Sequence, residues 1–151
     1  MKTFTFHKPT ELEEASKLLK NIGQGHLLAG GTDLVTEMKQ GVIEPNLLIS
    51  ASDIKDMSGM VWNNSGLTIG SMVTLDEIAS DAGIGSRIKS LAEAAISIAT
   101  PQIRNIATLG GNLCQRPRCW YYRNVRFNCL KKGGEKCFAV GGSDKYNAIS
   151  G

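Results

Sequence analysis

All four cysteines of this 151-residue chain fall between positions 114 and 137, as Cys114-x4-Cys119-x9-Cys129-x7-Cys137. Thiols at that density can ligate a metal or cluster, remain separate, or pair as two disulfides, and spacing alone leaves the three open. Structural zinc sites usually carry a C-x2-C knuckle, and none is present. Disulfides belong mainly to oxidising compartments, and residues 1–10 contain no apolar run of the kind a secretory signal needs. A cubane [4Fe–4S] cluster takes four thiolates at irregular spacing. Arg116, Arg118, Arg123, Arg126, Lys131, Lys132 and Lys136 crowd the same stretch, opposed only by Glu135. Cations there would offset the negative charge of a cluster and raise its reduction potential.

Two diglycine segments carry a second kind of chemistry. Leu27-Leu28-Ala29-Gly30-Gly31-Thr32-Asp33-Leu34 runs from an apolar strand into a helix. Glycines at such a turn let the backbone approach a ligand closely and aim N–H groups at it, and the helix start favours an anion. Ala107-Thr108-Leu109-Gly110-Gly111-Asn112 offers a hydroxyl, two glycines and an amide. Each pair taken alone also reads as a tight turn and nothing more. Neither has Rossmann or P-loop spacing. His7 and His26 sit in strand-like apolar surroundings, where a lone histidine is usually structural. Asp33 and Glu37 stand four apart on a helix, and acids in a first turn are ordinary. No Ser/His/Asp, HExxH or paired-carboxylate motif occurs, so no catalytic residue is assigned.

The elements that must position these residues follow from periodicity. Alternation predicts a strand over 2–7, and Thr10 with Glu13 a capping box opening a helix with Leu12, Ala15, Leu18 and Leu19 on one face. Gly23 and Gly25 end that helix. A buried strand is expected over 26–29, a helix over 33–40 with Gly41 beyond its end, and a strand over 47–49. Residues 60–63 and 67–70 flank Asn64-Ser65-Gly66, a hairpin signal. Thr74 and Glu77 make a second capping box. Ile84, Ile88, Leu91, Ala95 and Ile98 predict one helix with a buried stripe, stopped by Pro101. After Gly111 periodicity fails, and Trp120, Tyr121, Tyr122 and Phe127 interleave with the cations. An ordered loop held by something other than a core is expected there.

Composition narrows the partners. Hydrophobic content of 42% with 21% charged residues describes a globular chain with material for a core. No stretch approaches the roughly 20 apolar residues of a spanning helix, so no membrane partner and a cytoplasmic location are expected. Basic charge confined to one cysteine loop, on a net of +3, is a poor footprint for nucleic acid.

The two diglycine segments, together with Thr100-Pro101-Gln102-Ile103-Arg104-Asn105 before the second, resemble the FAD-binding subunit of the molybdenum hydroxylases. That family includes xanthine and carbon monoxide dehydrogenases, aldehyde oxidoreductases and 4-hydroxybenzoyl-CoA reductase. Asn112 to Arg123 (NLCQRPRCWYYR), Cys129, Lys132-Gly133-Gly134, Cys137 and Tyr146-Asn147-Ala148-Ile149 resemble its iron–sulfur branch.

The resemblance implies an α+β fold, the two-lobed FAD-binding domain of the vanillyl-alcohol oxidase (PCMH) type, with the second lobe truncated. The expected organisation is a first lobe over 1–58, the start of a second over 59–113, and a cysteine-rich [4Fe–4S] segment over 114–151. It implies FAD held by Leu28, Ala29, Gly30, Gly31, Thr32, Asp33, Thr108, Gly110, Gly111 and Asn112, with Gln102 and Arg104 behind them. It implies a [4Fe–4S] cluster on Cys114, Cys119, Cys129 and Cys137. It also implies a molybdopterin-binding large subunit and a [2Fe–2S] small subunit as partners, with NAD, oxygen or a ferredoxin as final electron acceptor. Other readings remain: a stand-alone FAD oxidoreductase, a zinc-stabilised interaction module, and a non-functional fragment.

Overall fold

The structure, a computed structural model, describes residues 2–21, 25–145 and 147. Of the sequence features read above, Gly23, Tyr146, Ala148 and Ile149 lie outside the described residues.

The first half builds a parallel three-stranded sheet in the order β1-β3-β2, from β1 (Thr5–His7), β2 (Gly25–Leu28) and β3 (Leu47–Ser50). β3 is central, paired with β1 from Thr5↔Leu47 to His7↔Ile49 and with β2 from Gly25↔Leu47 to Leu28↔Ser50. A parallel strand covered on both faces has no polar side, which is why Leu47-Leu48-Ile49 is an unbroken apolar run, all buried. β1 is shorter than the alternation predicted and its three residues are exposed. Helix α1 (Leu12–Asn21) lays Ala15, Leu18 and Leu19 against Leu47, Ile49, Ala51 and Ile54. Leu12, expected on that face, is 51% exposed. Helix α2 (Leu34–Lys39) ends before Gly41, whose φ of +70° suits only glycine.

Residues 60–69 form the expected hairpin, β4 (Met60–Asn63) antiparallel to β5 (Gly66–Ile69). Asn63 Oδ1 accepts from the Ser65 backbone N–H at 2.9 Å, tightening the turn. Helix α3 (Leu75–Ser80) opens with the expected capping box. Thr74 Oγ1 accepts from Glu77 N–H at 3.2 Å, and Glu77 Oε2 accepts from Thr74 N–H at 2.7 Å.

The single helix expected after residue 84 is two, α4 (Ala82–Arg87) and α5 (Lys89–Ser97). Ile88, at φ −134° and ψ 56°, breaks the helix between them. The apolar stripe survives the break: Ile84 and Ala95 are buried with Val73 and Ile78, and Ile88, Leu91 and Trp62 pack around them. Pro101 does not simply stop a helix. It opens α6 (Pro101–Arg104) at the first turn, where its missing N–H costs nothing, behind a Thr100 cap. Helix α7 (Leu109–Leu113) follows. From there to residue 145 the described backbone is irregular apart from a 3-10 turn at Leu130–Lys132. Among the described residues no helix is long and apolar enough to cross a membrane.

Candidate functional site

At the end of β2 the Leu28 carbonyl accepts from Ala51 N–H at 2.9 Å, and the chain then turns through Ala29–Thr32 into α2. Gly31 holds φ +74°, and Gly30 lies so close to the next segment that a Cβ would overlap the Ile106 carbonyl. Both glycines are therefore required, for different reasons. The backbone N–H groups of Gly30, Gly31, Thr32 and Asp33 donate no hydrogen bond among the described residues. Four consecutive donors are thus left open at this turn.

The second diglycine segment is not a turn. Gly110 and Gly111 lie inside α7, and their amides are already used: Gly110 N–H donates to Ser71 O at 2.8 Å and Gly111 N–H to Thr108 Oγ1 at 3.1 Å. Gly110 is there for packing, since an added Cβ would stand 2.9 Å from the Ser71 carbonyl oxygen. A Cβ on Gly111 would stand 3.9 Å from that of Ala29. The two diglycine segments therefore meet. They share one cleft of about 820 Å³, with Ala29 to Asp33, Thr108, Gly111 and Asn112 on its walls. That volume lies within the usual range for small-molecule and cofactor sites.

Leu28 and Gly110, expected among the contacts, are not on those walls and support the backbone behind them. Residues from several further stretches are. Ile98, Ala99 and Ile103 line the cleft, and Ala99 is a non-glycine residue at φ +45°. Arg104 Nη1 donates to Ile96 O at 3.1 Å and Ile98 O at 3.0 Å, fixing the turn that carries Ala99. Gln102 is exposed and off the cleft. His26 also lines it, with Nδ1 buried and unpartnered. The last stretch is the basic loop, which contributes Arg116, Arg118, Lys131 and Lys132. The loop's charge, cysteines and aromatics were visible in the sequence, and the family resemblance put such an insertion beside the flavin. Nothing in its spacing placed it over the glycines.

What folds the loop there is a buried ionic group. Arg123 Nη2 lies 2.6 Å from Asp33 Oδ1, and Nη1 lies 3.1 Å from Glu37 Oε1. The same guanidinium donates to the carbonyls of Pro117 and Arg116, both at 3.1 Å. Arg116 N–H donates to Asp33 Oδ2 at 3.1 Å, and Tyr122 OH to Glu37 Oε2 at 3.3 Å. Glu37 Oε1 pairs in charge with Arg123 but receives no well-directed hydrogen bond. Burial pushes the Glu37 carboxyl above its ordinary value, with Arg123 opposing that shift. Burial, then the Glu37 charge, raises the Tyr122 phenol. The acids at the two helix positions are thus not idle surface charges. They anchor the loop.

With this geometry in view, the description "FAD binding domain in molybdopterin dehydrogenase" matches residues 2–119. The chain belongs to this family. It is 31% identical to the aldehyde oxidoreductase FAD-binding subunit PaoB of Escherichia coli, over 100% of this chain and 48% of that protein. It is 36% identical to the nicotinate dehydrogenase FAD-subunit of Eubacterium barkeri, over 75% of this chain and 39% of that one. The carbon monoxide dehydrogenase structure from Hydrogenophaga pseudoflava superposes with a TM-score of 0.72 at 36% identity, covering 74% of this chain and 39% of its own. The chain thus spans less than half the length of these relatives. The mixed α and β architecture is that of the molybdopterin dehydrogenase FAD-binding domain.

The [4Fe–4S] cluster expected from the resemblance is not supported by the family match, which describes an FAD-binding domain. All four are free thiols: Cys114 and Cys137 are exposed, Cys119 is half-buried and Cys129 is buried. Among the described residues no group of three or more His, Cys, Asp and Glu side chains is gathered where it could hold a metal ion. Cys114, Cys119, Cys129 and Cys137, the ligands expected for a [4Fe–4S] cluster, are not gathered in this arrangement. Interactions among the loop's own side chains hold it. Besides Arg123, Tyr121, Phe127 and Phe138 pack as a ring trio with centroids 5.1–5.7 Å apart. Lys132 Nζ ties the Asn124 carbonyl at 2.7 Å, and Cys129 is buried in a bridge to Lys136.

Proposed function

We propose that this chain is the FAD-binding part of an electron-transfer subunit of a molybdenum hydroxylase. It would carry electrons between the [2Fe–2S] centres of a partner subunit, FAD and a final acceptor. Supporting this reading above all is the turn from Gly30 to Asp33, whose N–H groups donate no hydrogen bond among the described residues and which lines one cleft with Thr108, Gly111 and Asn112. Backbone donors fixed by a rigid turn suit a diphosphate, because they are already oriented and give up no side-chain entropy on binding. Ala29, Gly30, Gly31, Thr32 and Asp33 would hold the diphosphate, and Thr108, Gly111 and Asn112 would close the opposite side.

Bound FAD supplies the redox chemistry, accepting electrons in pairs and releasing them singly or as hydride. The chain's residues need only bind and orient it. Asp33 and Glu37, the acids at the cleft, are held by Arg123 and so are not poised to move protons. The molybdopterin-binding subunit selects the substrate in this scheme, and NAD, oxygen or a ferredoxin-like protein accepts the electrons.

The test is an absorption spectrum of anaerobically purified protein with its associated subunits, with flavin released and quantified. Stoichiometric FAD, lost in Gly30→Ala, supports the proposal. Protein isolated without flavin and unable to take it up from solution sinks it.

A further inference from the structure

One arginine serves two acids on α2 and its cap. Arg123 Nη2 lies 2.6 Å from Asp33 Oδ1, and Nη1 lies 3.1 Å from Glu37 Oε1. When both acids are ionised, the group holds one cation for two anions. Arg118 closes little of that gap, standing 3.8 Å from Asp33 Oδ1 with its side chain 72% exposed. Arg116 gives Asp33 a backbone N–H. The charged or titratable groups acting on Glu37 are Asp33 beside it in sequence and Arg123, Tyr122 and Arg116 from the loop. The Glu37 side chain is 3% exposed, so water cannot screen the excess charge there. Its Oε1 is buried without a well-directed hydrogen bond, which leaves the ionised carboxylate incompletely satisfied. Burial raises the Glu37 carboxyl, Arg123 opposes that, and Asp33 raises it further.

We propose that this group is a proton-operated latch: with a proton on Glu37 its charges balance and residues 116–123 stay docked on α2, and as Glu37 ionises their hold loosens. The loop meets α2 and its cap at several points, all of them through these two acids. Arg116 N–H donates to Asp33, Tyr122 OH donates to Glu37, and Arg123 reaches both. The same guanidinium donates to the Pro117 and Arg116 carbonyls, so it holds the stretch 116–123 together as one piece. Weakening the ionic group therefore frees that piece as a unit. The direction follows from linkage. A carboxyl raised in the docked state supports docking fully below the ordinary glutamate range, and the support is lost as pH rises through the raised value. The proton is exchanged with solvent and reaches no bound ligand. The latch uses none of the four thiols and none of the N–H groups of the first diglycine turn.

The experiment follows hydrogen–deuterium exchange by mass spectrometry in the protein purified with its associated subunits, from the ordinary glutamate range up to about pH 8. Peptides covering 116–123 are read against α5 (Lys89–Ser97), each rate divided by that of unstructured chain at the same pH. In the wild type, opening of 116–123 is expected to rise by about threefold or more with pH while α5 stays level. E37Q has no proton to lose, and its opening should stay flat. A flat wild type, a comparable rise in E37Q, or a parallel rise in α5 overturns the latch. Should E37Q lose its melting transition, D33N takes its place. One anion then meets one cation, so 116–123 must open less with rising pH than in the wild type, or the latch is overturned.

Discussion

Arg123 shows how one side chain can decide where a whole segment lies. Its side chain is 14% exposed and touches two carboxylates and two carbonyls. Replacing it with methionine leaves Glu37 without its cation and Asp33 with only the loosely placed Arg118, 3.8 Å away. Breaking a buried pair in this way costs about 3–5 kcal/mol, and the partial exposure of Asp33 places the expected loss at the low end. Denaturant melts should show that loss, and Glu37→Gln in the same chain should recover part of it. Glu37 also gives a pH signature. Because its carboxyl is raised in the folded protein, its contribution is whole below the ordinary glutamate range and is lost as pH rises through the raised value. The stability of Glu37→Gln relative to wild type should therefore increase over that window, and a constant difference would contradict the assignment. At Gly30 the sign is set by contact: Gly30→Ala must push against the Ile106 carbonyl, costing about 1–3 kcal/mol along with flavin binding.

At the scale of elements, caps and breaks set where the helices after the hairpin start and end. Thr74→Ala removes the hydroxyl half of the capping box that starts α3, leaving the backbone N–H to Glu77, and should cost about 0.5–2 kcal/mol by thermal or denaturant unfolding. Glu77, held below its ordinary value by the Thr74 hydroxyl and amide, behaves oppositely to Glu37. Its contribution is present above the ordinary glutamate range and is lost as pH falls through the depressed value. Ala99 closes the α5–α6 connection in a left-handed conformation that a branched side chain resists, so Ala99→Val should destabilise by about 1–2 kcal/mol. Most of these elements were legible beforehand, because capping boxes, a Gly at a helix end and a hairpin turn are local. The break at Ile88 was not. An apolar stripe can continue across two short helices, and the spacing of Ile84, Leu91 and Ala95 reports the buried face without reporting the hydrogen bonds between.

For the molecule as a whole, the loop from 114 to 145 is the segment whose position local spacing says least about. With the thiols apart, Cys114 and Cys137 should alkylate fast and Cys129 slowly, in order of exposure. Mass spectrometry of partly modified protein checks this, and four thiols protected together would mean that the loop gathers them after all. The family, the first turn and the alternation of strand and helix were written in the chain, since each depends on neighbours a few positions apart. Three things needed the tertiary structure: that the second diglycine spends its amides inside a helix, that the basic loop folds back over the first turn, and that Asp33 and Glu37 meet Arg123. Contacts across some ninety residues depend on how the intervening elements pack, and no local spacing records that.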